Sequence, residues 1–170
     1  MNVKDYLRAE VEKANKSSRS HGAVGSSPIG FRYVLNNVPK HYSILDFGSG
    51  KDAMQSMALL DAGFMSVTAY EFGSNIRKWH DKHALSRQYD VVMANNVLNV
   101  QSSNDMLHRT LLQIYNSVKN GGIAVLNYPA SPRYNKDVST KDMRNKLESM
   151  FRSVEQVGST SSAPLWKCTR

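Results

Sequence analysis

Short apolar runs alternate with amphipathic segments along most of the chain. Apolar side chains at near-helical spacing predict one helix over 2–15 and another between Pro28 and Pro39. Residues 17–30, rich in serine and glycine, predict a loop that serves either as a plain linker or as a lid over a site. Apolar runs with the character of buried strands then occur at 43–47, 67–71, 89–94 and 123–128.

Segments with helical periodicity separate most of these strands. An apolar helical face that includes Met54 and Met57 should end at Gly63, and we interpret this methionine-rich face as core. A later helix, with apolar positions from 106 to 118, should end at the glycines 121–122. Alternating strands and helices of this kind predict an α/β fold with a mostly parallel sheet.

Two stretches modify this plain alternation. The segment 73–88 is polar and short and contains no convincing strand, so the sheet should be abbreviated around its third strand. The runs 154–157 and 165–169 predict an antiparallel hairpin at the end of the chain. The predicted fold is a three-layer α/β/α, doubly wound, mostly parallel sheet that closes with a C-terminal antiparallel hairpin.

Composition limits the class of protein. A chain of 170 residues with 41% hydrophobic content predicts one globular domain, with a basic helical arm and loop at 1–40 and a Rossmann-like core at 41–170. No apolar run approaches the roughly 20 residues that cross a bilayer. The N-terminus lacks the apolar stretch of a secretory signal, and Cys168 is the single cysteine, so we expect a cytoplasmic protein without a disulfide or a cysteine metal cluster.

The net charge of +8 is distributed unevenly. Residues 1–40 hold seven basic and three acidic side chains, residues 131–170 hold eight and four, and residues 41–130 hold seven of each. A neutral middle with basic flanks suggests a small-molecule site whose outer segments meet an anionic partner, for which nucleic acid is the obvious candidate. No oligomeric state can be predicted from these patterns.

The stretch Ile-Leu-Asp-Phe-Gly-Ser-Gly at 44–50 predicts a strand, a tight glycine turn and the start of a helix. A dinucleotide-binding fingerprint would place Ala53 at its third glycine, which is an accepted variant, so this alternative stays open. A phosphate-binding P-loop is excluded, because Leu45 stands where its first glycine belongs and Asp52 replaces its hydroxyl residue. The remaining pattern, D-x-G-x-G, resembles the first motif of class I S-adenosylmethionine-dependent methyltransferases.

Polar residues also stand at the carboxyl ends of the next strands. Glu71 follows Asp46 by 25 residues, close to the spacing at which an acid meets ribose hydroxyls in nucleotide folds. Asn95 and Asn96 end the strongly apolar strand and should face the same crevice. Within 73–88, His80 and His83 are interpreted as a surface pair without metal ligands, whereas Trp79 and Asp81 are candidates for contact with a purine ring.

The order of motifs over 43–129 resembles class I methyltransferases throughout: acid-glycine turn, acid-ended strand, strand ending in asparagine, and Gly-Gly before the next strand. The phrase at 89–100 is also similar to bacterial and phage methyltransferases associated with DNA phosphorothioation. The resemblance implies S-adenosylmethionine as cofactor. By position it implies a cofactor site made of Asp46, Phe47, Gly48, Ser49, Gly50, Glu71, Asn95 and Asn96, with Asp81 as a substitute for the missing adenine-contacting acid.

Methyl transfer from a sulfonium is a direct displacement, so the sequence identifies the cofactor better than the acceptor or a catalytic base. His21, His80 and Tyr128 are the candidates for a base, and none is supported by its sequence context. The absence of proline after Asn96 argues against amino-group methylation of a flipped base. Two alternatives remain: a protein that binds or consumes the cofactor without transfer, and a basic nucleic-acid-binding module.

Overall fold

The computed structural model describes residues 2–20, 28–129, 132, 134–159 and 163–170. Within these residues the helices are α1 (Val3–Ser20), α2 (Ile29–Asn37), α3 (Met54–Asp61), α4 (Asn104–Ser117) and α5 (Thr140–Met150). The strands are β1 (Ser43–Phe47), β2 (Ser66–Tyr70), β3 (Tyr89–Ala94), β4 (Val118–Asn127), β5 (Ser153–Ser159) and β6 (Pro164–Thr169).

The six strands form one sheet in the order β2-β1-β3-β4-β6-β5. The first four of these are mutually parallel, and β6 runs antiparallel to both β4 and β5. This topology confirms the predicted fold class, including the C-terminal hairpin and the missing third strand. The carboxyl ends of β1, β2 and β3 therefore meet at one edge, which is where open α/β sheets bind ligands.

Hydrophobic side chains fill both faces of the sheet. One cluster lies against α4 and α5, and the other lies against α2 and α3. The strand β3 contributes to both, with Val92 in the first cluster and Val91 and Met93 in the second. This two-sided burial explains why its sequence is apolar throughout rather than alternating.

The connection from β2 to β3 consists of tight turns, with short 3₁₀ segments at Gly73–Asn75 and Ala84–Ser86. It is tied to β2 by the N–H of Asp81, which donates to the Ala69 carbonyl at 2.9 Å. Because this crossover has no long helix, the face of β2 on the α4 side lacks a cover of its own. The helix α1 packs there instead, and Asn15 donates to the carbonyl of Phe72 at 3.1 Å.

Two predicted boundaries are wrong. Residues 17–20 belong to α1 rather than to the loop, because neither proline nor glycine occurs before Gly22 to end the helix. The proposed lid at 21–27 lies outside the described residues. The helix α4 ends at Ser117, and Gly121 lies within β4, where its φ of +81° accommodates an irregular pairing with β3.

The prediction that the methionine-rich face of α3 is core is confirmed for Leu59, which is fully buried with Ala58 packed nearby, but is wrong for its methionines. Met54, Met57 and Leu60 are 45%, 54% and 43% exposed. Ser56 and Leu59 face inward instead: Ser56 donates a buried hydrogen bond to the Asp46 carboxylate, and Leu59 packs in the core. Across the described residues, no helix is long and apolar enough to cross a membrane.

Candidate functional site

The turn after β1 exposes bare backbone at the carboxyl edge of the sheet. Gly48 and Gly50 have φ values of +72° and +77°, a conformation that side chains rarely adopt. The Tyr70 carbonyl fixes the start of the turn by accepting from Gly48 N at 2.9 Å and Ser49 N at 3.0 Å. A Cβ at Gly48 would lie 2.7 Å from Val97, whereas a Cβ at Gly50 would meet nothing within 4 Å. Gly50 therefore faces open space.

Glu71 connects this turn to the end of β2. Its carboxylate accepts from Gly50 N at 2.7 Å and from Phe72 N at 2.9 Å. The residue is 7% exposed, and burial, together with the charge of Asp46, raises its pKa to about 7 against the lowering effect of the two amides. The predicted ribose-binding acid thus lies directly beside the glycine turn.

Asp46 lies on β1, two residues before the first glycine of the turn. It is 3% exposed, and Ser56 Oγ donates to its carboxylate at 2.7 Å. Burial raises its pKa to about 6, while the hydrogen bonds from Ser56 oppose that shift. The neighbouring Phe47 side chain is fully buried on the opposite face, with its ring centroid 5.0 Å from that of Tyr70. Phe47 therefore contributes its side chain to the core.

His80 contacts the glycine turn, a role that the sequence interpretation did not assign to it. It is 8% exposed, so its assignment to a surface pair is wrong, whereas His83 is exposed. Its Nδ1 accepts from Arg77 N at 2.8 Å, so Nε2 carries the proton and donates to the Gly50 carbonyl at 2.9 Å. With Trp79 Nε1, which donates to the Lys51 carbonyl at 2.9 Å, it fastens the β2–β3 connection to the glycine turn.

Asp81 does not join this group. Arg87 donates to one of its carboxylate oxygens at 2.6 Å, and His83 N donates to the other at 2.8 Å. The Arg87 guanidinium holds the pKa of Asp81 below its ordinary value. Both oxygens are engaged within the turn that Asp81 itself forms, and among the described residues no hydrogen bond or ion pair joins the Asp81 carboxylate to Glu71 or the glycines.

The asparagines after β3 differ in their environment. Asn96, with a φ of +56°, exchanges two hydrogen bonds with Asn127 at the end of β4: its N–H donates at 2.7 Å and its side-chain oxygen accepts at 2.8 Å. Asn127 was not predicted, although its position at a strand end is the same signal that identified Asn96. Both polar atoms of the Asn95 side chain are buried and have no hydrogen-bond partner among the described residues.

The proposed bases are not supported by the geometry. Tyr128 is fully buried, its hydroxyl donates to the Val138 carbonyl at 2.9 Å, and burial raises its pKa to about 12. Both ring nitrogens of His80 are engaged, and His21 lies outside the described residues. Cys168 is buried in the core, which raises the pKa of its thiol to about 12.

Comparison with known families identifies the family of the chain. A family model described as a methyltransferase domain matches residues 3–164, and the chain therefore belongs to that family. No curated protein matches the sequence.

Solved structures share the fold at low sequence identity. A TehB-like SAM-dependent methyltransferase from Corynebacterium glutamicum is 16% identical with a TM-score of 0.66, over 95% of this chain and 98% of that one. A Burkholderia thailandensis 1,6-didemethyltoxoflavin-N1-methyltransferase, with bound 1,6-didemethyltoxoflavin and S-adenosylhomocysteine, is 13% identical with a TM-score of 0.63, over 100% and 92%. Magnesium protoporphyrin IX methyltransferase from Synechocystis, with bound SAM, is 13% identical with a TM-score of 0.62, over 100% and 98%.

Proposed function

We propose that this chain is a methyltransferase that uses S-adenosylmethionine and holds it at the carboxyl edge of β1, β2 and β3. The observation that carries the proposal is the pairing of Gly50, whose backbone faces open space, with the Glu71 carboxylate 2.7 Å from its N–H. Membership of a methyltransferase family supports this over the dinucleotide alternative. Several solved structures of the same fold contain the cofactor or its demethylated product.

The residues present fit such a ligand. Each Glu71 oxygen accepts one backbone N–H and keeps a lone pair, which suits a pair of vicinal ribose hydroxyls. A side chain at Gly48 or Gly50 would be strained by the positive φ, so the backbone stays bare where the cofactor passes. The polar atoms of the Asn95 side chain are not part of this fit, because both are buried and the Oδ1 lies against Gly30 of α2.

When bound, the cofactor supplies a methyl group on a positively charged sulfur, which an acceptor removes by direct displacement. The protein contributes by aligning the reacting groups, and His80 holds the glycine turn in place through its hydrogen bond to the Gly50 carbonyl. In the described part of the crevice no histidine or tyrosine is free to take a proton. We infer that the acceptor presents a nucleophile that needs no protein base from these residues.

Calorimetric titration with S-adenosylmethionine and S-adenosylhomocysteine tests the cofactor proposal. We expect Glu71→Gln to weaken both ligands about tenfold or more, because loss of a hydrogen bond to a charged group costs roughly 1.5–3 kcal/mol. Glu155→Gln, on the exposed surface of β5, is the matched control and should bind both ligands like the wild type. Absence of binding heat from the folded wild-type protein would refute the proposal.

Nucleic acid is the first acceptor class to screen. The net charge of +8 and the basic flanks favour an anionic acceptor, in keeping with the similarity of residues 89–100 to the phosphorothioation-associated group. Transfer of a labelled methyl group to DNA or RNA would support this assignment. Cofactor turnover without a methylated product would favour a cofactor-consuming protein. Salt-dependent nucleic-acid binding in the absence of any cofactor binding would favour a basic binding module.

A further inference from the structure

A second cavity lies behind the cofactor crevice, between α1 and α4. Its volume is about 230 Å³. Tyr70 and Phe72 line it from the end of β2, Val11 from α1 and Met106 from α4, and we call it the α1–α4 cavity. No residue of the glycine turn lines it, and neither does Glu71.

The cavity is a consequence of the shortened crossover after β2. Tyr70 pairs in register with Phe47, and both side chains point to the α4 side of the sheet. Glu71, between Tyr70 and Phe72, points the other way, to Gly50. The helix α1 covers the face that a crossover helix would fill, but it is anchored through Asn15 and leaves a space over the two aromatic rings.

The cavity combines an aromatic floor with a cationic rim. Arg8 on α1 and Arg109 on α4 line it from opposite walls, and both are exposed. Neither side chain forms an ion pair or hydrogen bond with any of the described residues. The polar groups deeper in the cavity satisfy each other instead, since Thr110 donates to Gln101 at 3.1 Å and Gln101 donates to the Val97 carbonyl at 2.9 Å.

Size and charge together limit the ligand. A cavity of roughly 150 Å³ accommodates one benzene molecule, so a space of about 230 Å³ accommodates one aromatic ring and a small substituent. Two guanidinium groups without a carboxylate partner favour an anionic substituent, which they can bind through charge-assisted hydrogen bonds. Tyr70 and Phe72 provide the apolar contact for the ring.

We propose that the α1–α4 cavity binds a small aromatic anion, a single ring that carries a carboxylate or a phosphate, at a site separate from the cofactor. The assignment rests on the cavity and its two arginines, and it does not depend on the methyltransferase activity.

Methyl NMR of protein labelled at its methionine methyl groups tests the proposal with benzoate and phenyl phosphate as probes. Met106→Leu assigns the reporter in the cavity wall, and Met143, fully buried on α5, reports on the fold elsewhere. We expect either anion to shift the Met106 signal while Met143 stays unchanged, and benzyl alcohol to bind at least tenfold more weakly. The stronger of the two anions identifies the carboxylate or the phosphate as the preferred group.

Variants of the rim provide the second test. Arg109→Met and Arg8→Met keep an unbranched apolar stem and remove the charge, and each should weaken the anion about tenfold. Arg152→Met, on the exposed surface before β5, is the matched control and should leave the affinity unchanged. An unshifted Met106 signal at saturating probe would overturn the proposal, as would equal binding of benzyl alcohol or wild-type affinity in both rim variants.

The final test separates the cavity from the cofactor crevice. Saturating S-adenosylhomocysteine should leave benzoate bound, because the two sites share no side chain. Displacement of benzoate would assign the cavity to the cofactor and overturn the separate site. If S-adenosylhomocysteine itself fails to bind, the proposed function fails, while the Met106 shift still decides the cavity.

Discussion

Alanine substitutions at Gly48 and Gly50 should separate folding from ligand binding within a single turn. Both residues have a φ near +75°, at +72° and +77°, so both variants incur similar backbone strain. They differ in what the new methyl group meets. At Gly48 it would lie 2.7 Å from Val97, whereas at Gly50 it would meet no atom within 4 Å.

The two costs can be estimated from these contacts. A left-handed conformation costs an ordinary residue roughly 1–2 kcal/mol, and this applies to both variants. Overpacking against a buried side chain adds roughly 1–3 kcal/mol, and Val97 is buried, so only Gly48→Ala incurs it. We therefore expect Gly50→Ala to lower the free energy of unfolding by about 1–2 kcal/mol and Gly48→Ala to lower it by about 2–5 kcal/mol.

Urea unfolding and calorimetry measure the two effects. With a slope of about 2 kcal/mol per molar urea, the midpoint should fall by about 0.5–1 M for Gly50→Ala and by about 1–2.5 M for Gly48→Ala. Gly50→Ala should stay folded yet bind S-adenosylhomocysteine at least tenfold more weakly, because its methyl group occupies the space assigned to the ligand. Wild-type affinity in Gly50→Ala, or equal destabilisation of the two variants, would refute the reasoning.

Three further predictions concern the surroundings of the turn. His80→Ala leaves the Gly50 carbonyl unpaired and should lower the free energy of unfolding by about 2–4 kcal/mol in urea, whereas His83→Ala should change it by less than about 0.5 kcal/mol. Burial raises the pKa of Asp46 from 3.8 to about 6, so the unfolded chain loses this proton first and Asp46 alone should lower the free energy of unfolding by up to about 3 kcal/mol as the pH rises from 4 to 6. In urea unfolding across that range, Asp46→Asn should show a smaller fall than the wild type and keep only the part due to Glu71, whose pKa burial raises to about 7. Asn127→Ala removes both bonds to Asn96 and should weaken S-adenosylhomocysteine in calorimetry about threefold to tenfold, and unchanged affinity would contradict a role for this pair.

Much of the fold could be predicted because its elements carry strong local signals. The apolar strand β3 and the lack of a strand at 73–88 are both visible in the residues themselves. The errors arose where a tertiary contact overrides the local pattern. Ser56 turns α3 so that Met57 faces outward, and pairing with β3 extends β4 through the glycines that were expected to end α4. The division at residue 40 stays a prediction.

The residue types and spacing of the candidate site could be predicted from the sequence, but its hydrogen bonds could not. Asp46 and Glu71 were identified from their spacing, yet the sequence does not show that Glu71 accepts from the turn itself. The contact of His80 with the glycine turn was not predicted, because it depends on a series of tight turns that bring His80 to Gly50, thirty residues earlier. Such a contact has no periodicity, and only the folded connection brings the two residues together.

The buried acids of the crevice lower the stability of the folded protein, which favours a role in ligand binding. Asp46 and Glu71 are buried, and no basic side chain among the described residues forms an ion pair with either. Burial raises the pKa of both acids, so ionising them at neutral pH costs folding free energy that an amide at either position would not. The unpartnered polar atoms of Asn95 add a further cost at the same edge of the sheet. A cofactor that donates hydroxyl hydrogen bonds to Glu71 and carries a positive charge near both carboxylates would offset these costs. Both acids are ionised above pH 7, so cofactor binding should stabilise the fold most strongly there.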